Sequence, residues 1–382
     1  MPDPAKQDPP ELAHHLPLLL RHYCALSPSS PIQIPSPPFP SPRTLSLPQT
    51  QQYLVEHFLG RTESDEGARS WRRAFWRRVT KGIEAGFEER RREGDAERVE
   101  DEEVHPDILE SMVDFLSTSS STAECDAPGV STRTYYWGDL SEPPASWRSI
   151  RSKEEGRMIS GGTTGLRTWQ ACIALSNHLL ANPAAVLSAN RILELGAGVG
   201  LLSLVAARIK QDALAEGGTE EKKRIVATDV DKKVLEMLRG NIALNSLDDL
   251  VKAESLDWEL ASDPETGQDT LQAWKDAVFD GGGGAELIIG ADIVYDPSLA
   301  GHLAATLQWL LQRGSGGKAP EALIAGTVRS EETWALFLEE CRSSQLVVEA
   351  VPLQTLPDQS GLVGAEGWVG EGEVRLVHIV AA

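Results

Sequence analysis

The chain is short of positive charge, of cysteine and of long apolar runs, and each shortage removes a class of function. Lys and Arg total 36 against 57 Asp and Glu, a net charge of −21, which excludes a broad electrostatic grip on nucleic acid or anionic membrane. A basic protein partner is compatible with that charge. The four cysteines, Cys24, Cys125, Cys172 and Cys341, form no C-x-x-C pair and have no histidines at zinc-site intervals, so no metal centre is expected. They read as reduced cytosolic thiols. No apolar run approaches the ~20 residues of a membrane span, and the stretch from Met1 to Pro10 lacks the apolar core of a signal peptide. The expected compartment is the cytoplasm. Hydrophobic content of 41% with 24% charged residues is ordinary for a globular protein, and 382 residues suffice for two parts with cores of their own.

A short helical piece around Leu12 to Cys24 precedes residues 26 to 49, whose Ser and Pro content reads as a flexible or extended linker. Further on, Trp71, Phe75, Val79, Ile83 and Phe87 recur every four residues, with Arg72, Arg73, Arg77, Arg78 and Lys81 on other faces. This spacing predicts an amphipathic helix with a basic side, whose aromatic stripe either packs on the rest of the protein or meets a partner. The charged stretch from Glu88 to Glu103 reads as exposed helix or loop. Ser, Thr and Gly dominate 117 to 132, which places the main boundary there: a mainly helical region over 1–130 and a second domain over 131–382. Tyr135, Tyr136 and Trp137 read as an edge strand or hairpin.

From Gly165 onward the pattern alternates as a parallel sheet covered by helices requires. A helix is expected over Leu166 to Leu180, then strands at Ile192–Leu195, Ile225–Thr228, Val251–Ser255, Leu287–Ala291 and Ala322–Thr327. Helices fall between them, near Leu201–Ala213, Asp231–Leu247, Leu271–Val278 and Pro297–Gln312, with a last one at Glu331–Ser343. Two further strands, Leu346–Val351 and Val374–Val380, bring the number to seven and suggest an antiparallel hairpin at the sheet edge.

In open α/β sheets ligands bind beyond the carboxyl ends of the strands, so those ends are where chemistry is sought. The first ends in Glu194-Leu195-Gly196-Ala197-Gly198-Val199-Gly200, a glycine turn that lets a ligand approach the backbone and opens a helix whose first N–H groups are free. Its spacing is G-x-G-x-G, unlike the G-x-G-x-x-G of a dinucleotide site. Glu194 would repel a pyrophosphate but suits a cofactor that carries positive charge, and S-adenosylmethionine is one. The second strand ends at Asp229, which can accept both ribose hydroxyls of an adenosine group, while Asp231 suits the role of helix cap. After the third, Asp257 can take an exocyclic amine, and Trp258 either covers a ring or is a core aromatic. The fourth ends at Ala291, followed by Asp292-Ile293-Val294-Tyr295-Asp296-Pro297. Asp296 before Pro297 marks a helix start. Asp292 and Tyr295 sit where an acceptor amine would arrive: Asp292 could orient it and Tyr295 line its channel, or the two are a satisfied carboxylate and a rim tyrosine. The (Asp/Asn/Ser)-Pro-Pro-aromatic turn usual in methylation of base amino groups is missing, as are a phosphate loop and a Gly-x-Ser-x-Gly elbow.

Six stretches taken together resemble one family: Gly161-Gly162-Thr163-Thr164-Gly165-Leu166-Arg167-Thr168-Trp169, the 193–201 turn, Leu238-Arg239-Gly240-Asn241, Leu256-Asp257-Trp258, Ala291-Asp292-Ile293-Val294-Tyr295 and Thr327-Val328-Arg329. The chain is similar there to the seven-β-strand protein-lysine methyltransferases, nearest to the branch that modifies elongation factor 2. The resemblance implies an α/β, class I methyltransferase Rossmann-like fold of seven strands after a mainly helical N-terminal region. It implies S-adenosylmethionine as cofactor, with Trp169, Glu194, Gly196, Ala197, Gly198, Gly200, Asp229, Asp257, Trp258 and Ala291 toward it, and Asp292 and Tyr295 toward the acceptor lysine. Elongation factor 2 is then the expected protein partner, without nucleic acid or membrane, for a chain expected to be a monomer. The alternatives are a non-catalytic module that binds a translation factor or chaperone, and methylation of another protein.

Overall fold

The computed structural model of the chain describes residues 10–27, 39–59, 68–93, 102–117, 129–156, 164–215, 224–263, 265, 267–279, 283–312, 319–364 and 372–382. The expectations for Gly161, Gly162 and Thr163, and for residues 28–38, 94–101, 118–128 and 365–371, lie outside the described residues. Two compact units emerge: residues 1–149 with 155–157 and 358–366, and residues 150–154 with 158–357 and 367–382. Residue 130, where the boundary was expected, lies inside the first.

The first unit contains α1 (Pro10–Cys24), α2 (Pro42–Leu45), α3 (Pro48–Phe58), α4 (Arg69–Arg92), α5 (Pro106–Ser117) and β1 (Val130–Trp137). The Ser/Pro stretch is not a linker throughout, because Pro42 and Pro48 each occupy the start of a helix, where a missing N–H costs nothing. Ser41 caps α2 by accepting the Thr44 N–H, and Leu45 is buried. The four-residue spacing does make α4, and Phe75, Val79, Ile83 and Phe87 bury against Leu16, Leu19, Leu20 and Leu54. Its aromatic centre is dense: the Tyr23 and Phe75 ring centres are 4.7 Å apart, and Trp76 donates to the Tyr23 hydroxyl at 3.3 Å. The arginines of α4 are not simply a solvated face. Arg72 is buried, and the Arg78 guanidinium lies 3.7 Å from the centre of the Phe39 ring. Nor is the charged stretch after Phe87 wholly exposed, since Arg90 pairs with Glu102. Arg21, fully buried, donates to the carbonyls of Gly138 at 2.7 Å, Gln359 at 3.2 Å and Gly361 at 3.4 Å, and sits over Trp147 at 4.3 Å. Burial lowers its pKa to about 10, which leaves it charged at neutral pH.

The second unit takes in most of β2 (Arg148–Glu155), then α6 (Gln170–Ala181), α7 (Ala184–Ser188), β3 (Arg191–Leu195), α8 (Leu201–Ala215), β4 (Arg224–Asp229), α9 (Lys232–Leu244) and β5 (Val251–Ser255). It continues with α10 (Gly267–Val278), β6 (Leu287–Ala291), α11 (Ala300–Leu310), β7 (Glu321–Thr327), α12 (Glu331–Ser343), β8 (Leu346–Val351) and β9 (Val374–Ala381). The seven-stranded sheet has the order β5-β4-β3-β6-β7-β9-β8. β5 through β7 run parallel, and β9 is antiparallel to both β7 and β8, so the final pair forms the expected edge hairpin. β3, β6 and β7 read as nearly unbroken apolar runs because both faces are covered, whereas in the edge strand β5 only Val251 is buried. Helices α6 and α8 pack on one another, as do α11 and α12.

Two helix starts need correction, and two elements are additional. The helix expected from Leu166 begins at Gln170, because Thr168 is held back by Glu154, which accepts its N–H at 3.0 Å and its hydroxyl at 2.7 Å, and Trp169 is extended. Residues Pro297–Leu299 form a short 3-10 turn ahead of α11 instead of its first turn. β2 and α7 had no strong periodic signal and were not anticipated.

Asn241 explains one of the six shared stretches. Fully buried on α9, it donates to the carbonyls of Val199 at 2.9 Å and Lys153 at 3.1 Å and accepts the Lys153 N–H at 2.7 Å, joining β2 to the glycine turn. Asn241→Ala leaves these backbone groups without partners and should cost about 2–3 kcal/mol in denaturant melts. A loss below about 1 kcal/mol would mean that water replaces the amide.

Candidate functional site

The ends of β3, β4 and β6 open into one cleft of about 480 Å³, within the range of small-molecule sites. The end of β3 and the turn after it are tied to β4 by two hydrogen bonds: the Ala197 N–H donates to the Thr228 carbonyl at 2.7 Å, and the Thr228 hydroxyl donates to the Glu194 carbonyl at 2.7 Å. Gly196 has φ +59°, and a β-carbon on it would fall 2.6 Å from Ile293 Cγ2 and 3.4 Å from the Trp258 ring, so only glycine fits. A side chain there would also fill the cleft floor.

Of the twelve site residues expected from the sequence, Trp169, Glu194, Gly196, Ala197, Gly198, Asp229, Asp257, Trp258, Ala291, Asp292 and Tyr295 line this cleft. Gly200 does not. A β-carbon on it would lie 2.2 Å from Leu238 Cδ1, so this glycine serves the seating of α9. Asp229 takes the Gly198 N–H at 3.2 Å on one oxygen and the Asp231 N–H at 3.1 Å on the other, which keeps it aimed along the turn with lone pairs to spare. Burial raises its pKa. Asp257 caps the 3-10 turn Trp258–Ser262 through the Glu259 N–H, and Trp258 both lines the cleft and packs against the core. Tyr295 is 55% exposed at the mouth, and its phenol is raised above the usual value, first by burial and then by Asp229 and Asp296, so it stays protonated at neutral pH. Asp231 and Asp296 are the helix and turn caps expected.

Asp292 adopts φ +54°, a left-handed conformation that an Asp tolerates better than most side chains. Its oxygens accept the Ala171 N–H at 2.8 Å and the Thr327 N–H at 2.9 Å, and Arg329 stands 3.5 Å away. Much of its capacity is thus spent on structure. Sequence reasoning gave no role to Arg167, Thr168, Cys172, Val230 or Glu259, which also line the cleft. Arg167 and Thr168 stood inside a noted stretch, whereas Cys172 and Val230 carry no signal of their own. The Cys172 thiol is pushed well up by burial and then by Glu194, Asp292 and Glu154, so it is no nucleophile at neutral pH.

Glu194 is 2% exposed and accepts the Ser203 N–H, in the first turn of α8, at 3.0 Å. Burial still pushes its carboxyl up to about 8. A cation in the cleft would restore its charge. The donor set therefore fits S-adenosylmethionine: carboxylates for a cationic, hydroxyl-bearing ligand, and a turn that a side chain would fill. Arg167 is the one Arg or Lys lining the cleft among the described residues, which fits a pyrophosphate poorly.

The chain belongs to the lysine methyltransferase family, whose model matches residues 151–341. It is 29% identical to protein-lysine N-methyltransferase EFM3 of Chaetomium thermophilum, over 69% of this chain and 74% of that one. With the human protein-lysine N-methyltransferase EEF2KMT it shares 30% identity, over 66% of this chain and 69% of the relative. A solved O-methyltransferase from Bacillus cereus in complex with SAH matches 54% of this chain and 80% of its own, with 17% identity and a TM-score of 0.35. The chain is a protein-lysine N-methyltransferase that uses S-adenosylmethionine. No helix among the described residues is long and apolar enough to cross a membrane.

The raised Glu194 has a stability consequence. The folded protein holds a proton that the unfolded chain releases above the ordinary 4.5, so this group costs increasing stability between pH 4.5 and about 8 and a constant amount above. Glu194→Gln should therefore raise Tm at pH 8 by several degrees while leaving Tm near pH 4.5 unchanged. Melting curves across that range that run parallel for both proteins would show that Glu194 is ionised in the free cleft.

Proposed function

We propose that this enzyme methylates a lysine of elongation factor 2, and that a cytoplasmic location goes with that substrate. The observation that carries the reading is the meeting, in one cleft, of Glu194 and Asp229 with Asp292 and Tyr295. The choice of elongation factor 2 is supported by the relatives named EEF2KMT in human, mouse and cattle. In this reading Trp169, Glu194, Gly196, Ala197, Gly198, Asp229, Asp257, Trp258 and Ala291 hold the cofactor. S-adenosylmethionine, when bound, supplies a sulfonium methyl group to an attacking amine.

Asp229 offers its remaining lone pairs to vicinal hydroxyls, and Glu194 meets positive charge at the end of β3. Asp292, fixed by two N–H groups, contributes a placed negative charge that attracts and aligns the lysine, a role that asks for no proton exchange at its oxygens. Tyr295 keeps its proton and lines the entrance, where its ring screens the amine from water and favours the neutral form.

With labelled cofactor and a lysate of methylation-deficient cells, the label should enter a single protein of the size of elongation factor 2. Label in another protein, with elongation factor 2 bare, would transfer the activity to that substrate. Asp229→Ala should weaken S-adenosylmethionine binding at least ~10-fold, a loss of ~1.4 kcal/mol, with the fold intact. Affinity should rise with pH up to about 8, because Glu194 gives up a proton on binding. Calorimetry in buffers of different ionisation enthalpy measures that proton, and zero release would remove Glu194 from the cofactor site.

A further inference from the structure

Three stretches far apart in sequence meet at one guanidinium. Arg329 lies two residues beyond β7, with Nη1 3.5 Å from Asp292 Oδ1 and its guanidinium carbon 5.1 Å from the centre of the Trp169 ring. Trp169 is itself tied down by its indole N–H to the Thr164 carbonyl at 3.1 Å, and Arg167 approaches the same ring at 5.3 Å. Trp169 and Asp292 line the cleft, whereas Arg329 does not. Arg329 thus reaches the cleft lining through those two side chains.

The Asp292 side chain is only 5% exposed and that of Arg329 37%, so the cation approaches a buried carboxylate from the solvent side. Such a carboxylate gains more from a neighbouring cation than an exposed one does. A lysine could supply the charge, but only the planar guanidinium can lie along an indole and face a carboxylate at once. We propose that Arg329 is a positioning residue for methyl transfer: it braces the Asp292 charge on the acceptor side of the cleft against the Trp169 ring on the cofactor side. This rests on the reading of the cleft given above. Glu194 is held by the Ser203 N–H, and Asp229 by the N–H groups of Gly198 and Asp231, so these two carboxylates are positioned by their own turn.

The test compares the full-length wild type with Arg329→Lys and Arg329→Met, using S-adenosylmethionine calorimetry, thermal melts and label transfer to elongation factor 2 from methylation-deficient cells. For Arg329→Lys, Tm should stay within ~2 °C of wild type, and kcat should fall about tenfold, the scale of a sub-ångström misplacement, while cofactor affinity, which also feels the Trp169 ring, falls by no more than about threefold. Arg329→Met, which also removes the charge, should lower kcat further, again with a smaller change in cofactor affinity. The assignment is overturned if Arg329→Lys matches the wild-type kcat, if its kcat loss tracks a loss of folded protein, or if cofactor affinity falls in step with kcat. A wild type that labels no protein overturns the functional reading and this assignment together. An active wild type equalled by Arg329→Lys overturns this assignment alone.

Discussion

The carboxylate of Asp292 closes the catalytic unit. It accepts an N–H from the first turn of α6 and another from the last residue of β7, while its own N–H goes to the Ala325 carbonyl. Trp169, just before α6, has no side-chain cap of its own to offer, so the helix start depends on a residue far along the chain. The left-handed backbone at Asp292 is the cost of aiming one short side chain at two elements. With it in place, the wall carrying Trp169 and the strand end carrying Thr327 are fixed against the end of β6, and the cleft acquires its shape.

Glu194 shows the opposite trade. A carboxyl buried at the end of β3 and lifted to about 8 weakens the free protein, yet it is the kind of group that a cationic ligand rewards. The glycine turn beside it makes the same exchange in backbone terms, since Gly196 gives up chain entropy for close approach. Stability has been withheld from the places where a ligand can return it.

Much of the sheet was readable in the sequence because parallel strands buried on both faces leave short apolar runs between helical periods, and Asp231 and Asp296 announced their caps. The cleft was readable for a related reason: strand ends in such sheets converge, so residues picked there, such as Asp229 and Tyr295, line one space. What stayed hidden depends on long-range partners. The late start of α6 follows from Glu154 holding Thr168, the saturation of Asp292 from Ala171 and Thr327, and the packing use of Gly200 from Leu238. The Ser/Pro stretch misled because the two residue types that loosen a chain are also those that begin helices, as Ser41, Pro42 and Pro48 do. The stretch Thr327-Val328-Arg329 was noted, but the role assigned to Arg329 was invisible because it depends on Trp169 and Asp292, far away in sequence.

Arg21 binds the carbonyls of Gln359 and Gly361, and the first unit includes residues 358–366. Its guanidinium is made 338 and 340 residues before these two acceptors. The N-terminal helices therefore leave the ribosome without the partners that complete their interior, and the unit cannot close until almost the whole catalytic sheet has been translated. A chain cut short before residue 358 would lose more than its last strand: it would strand a buried cation in a half-built core at the other end of the sequence. Completion of the N-terminal unit thereby waits on residues 358–366.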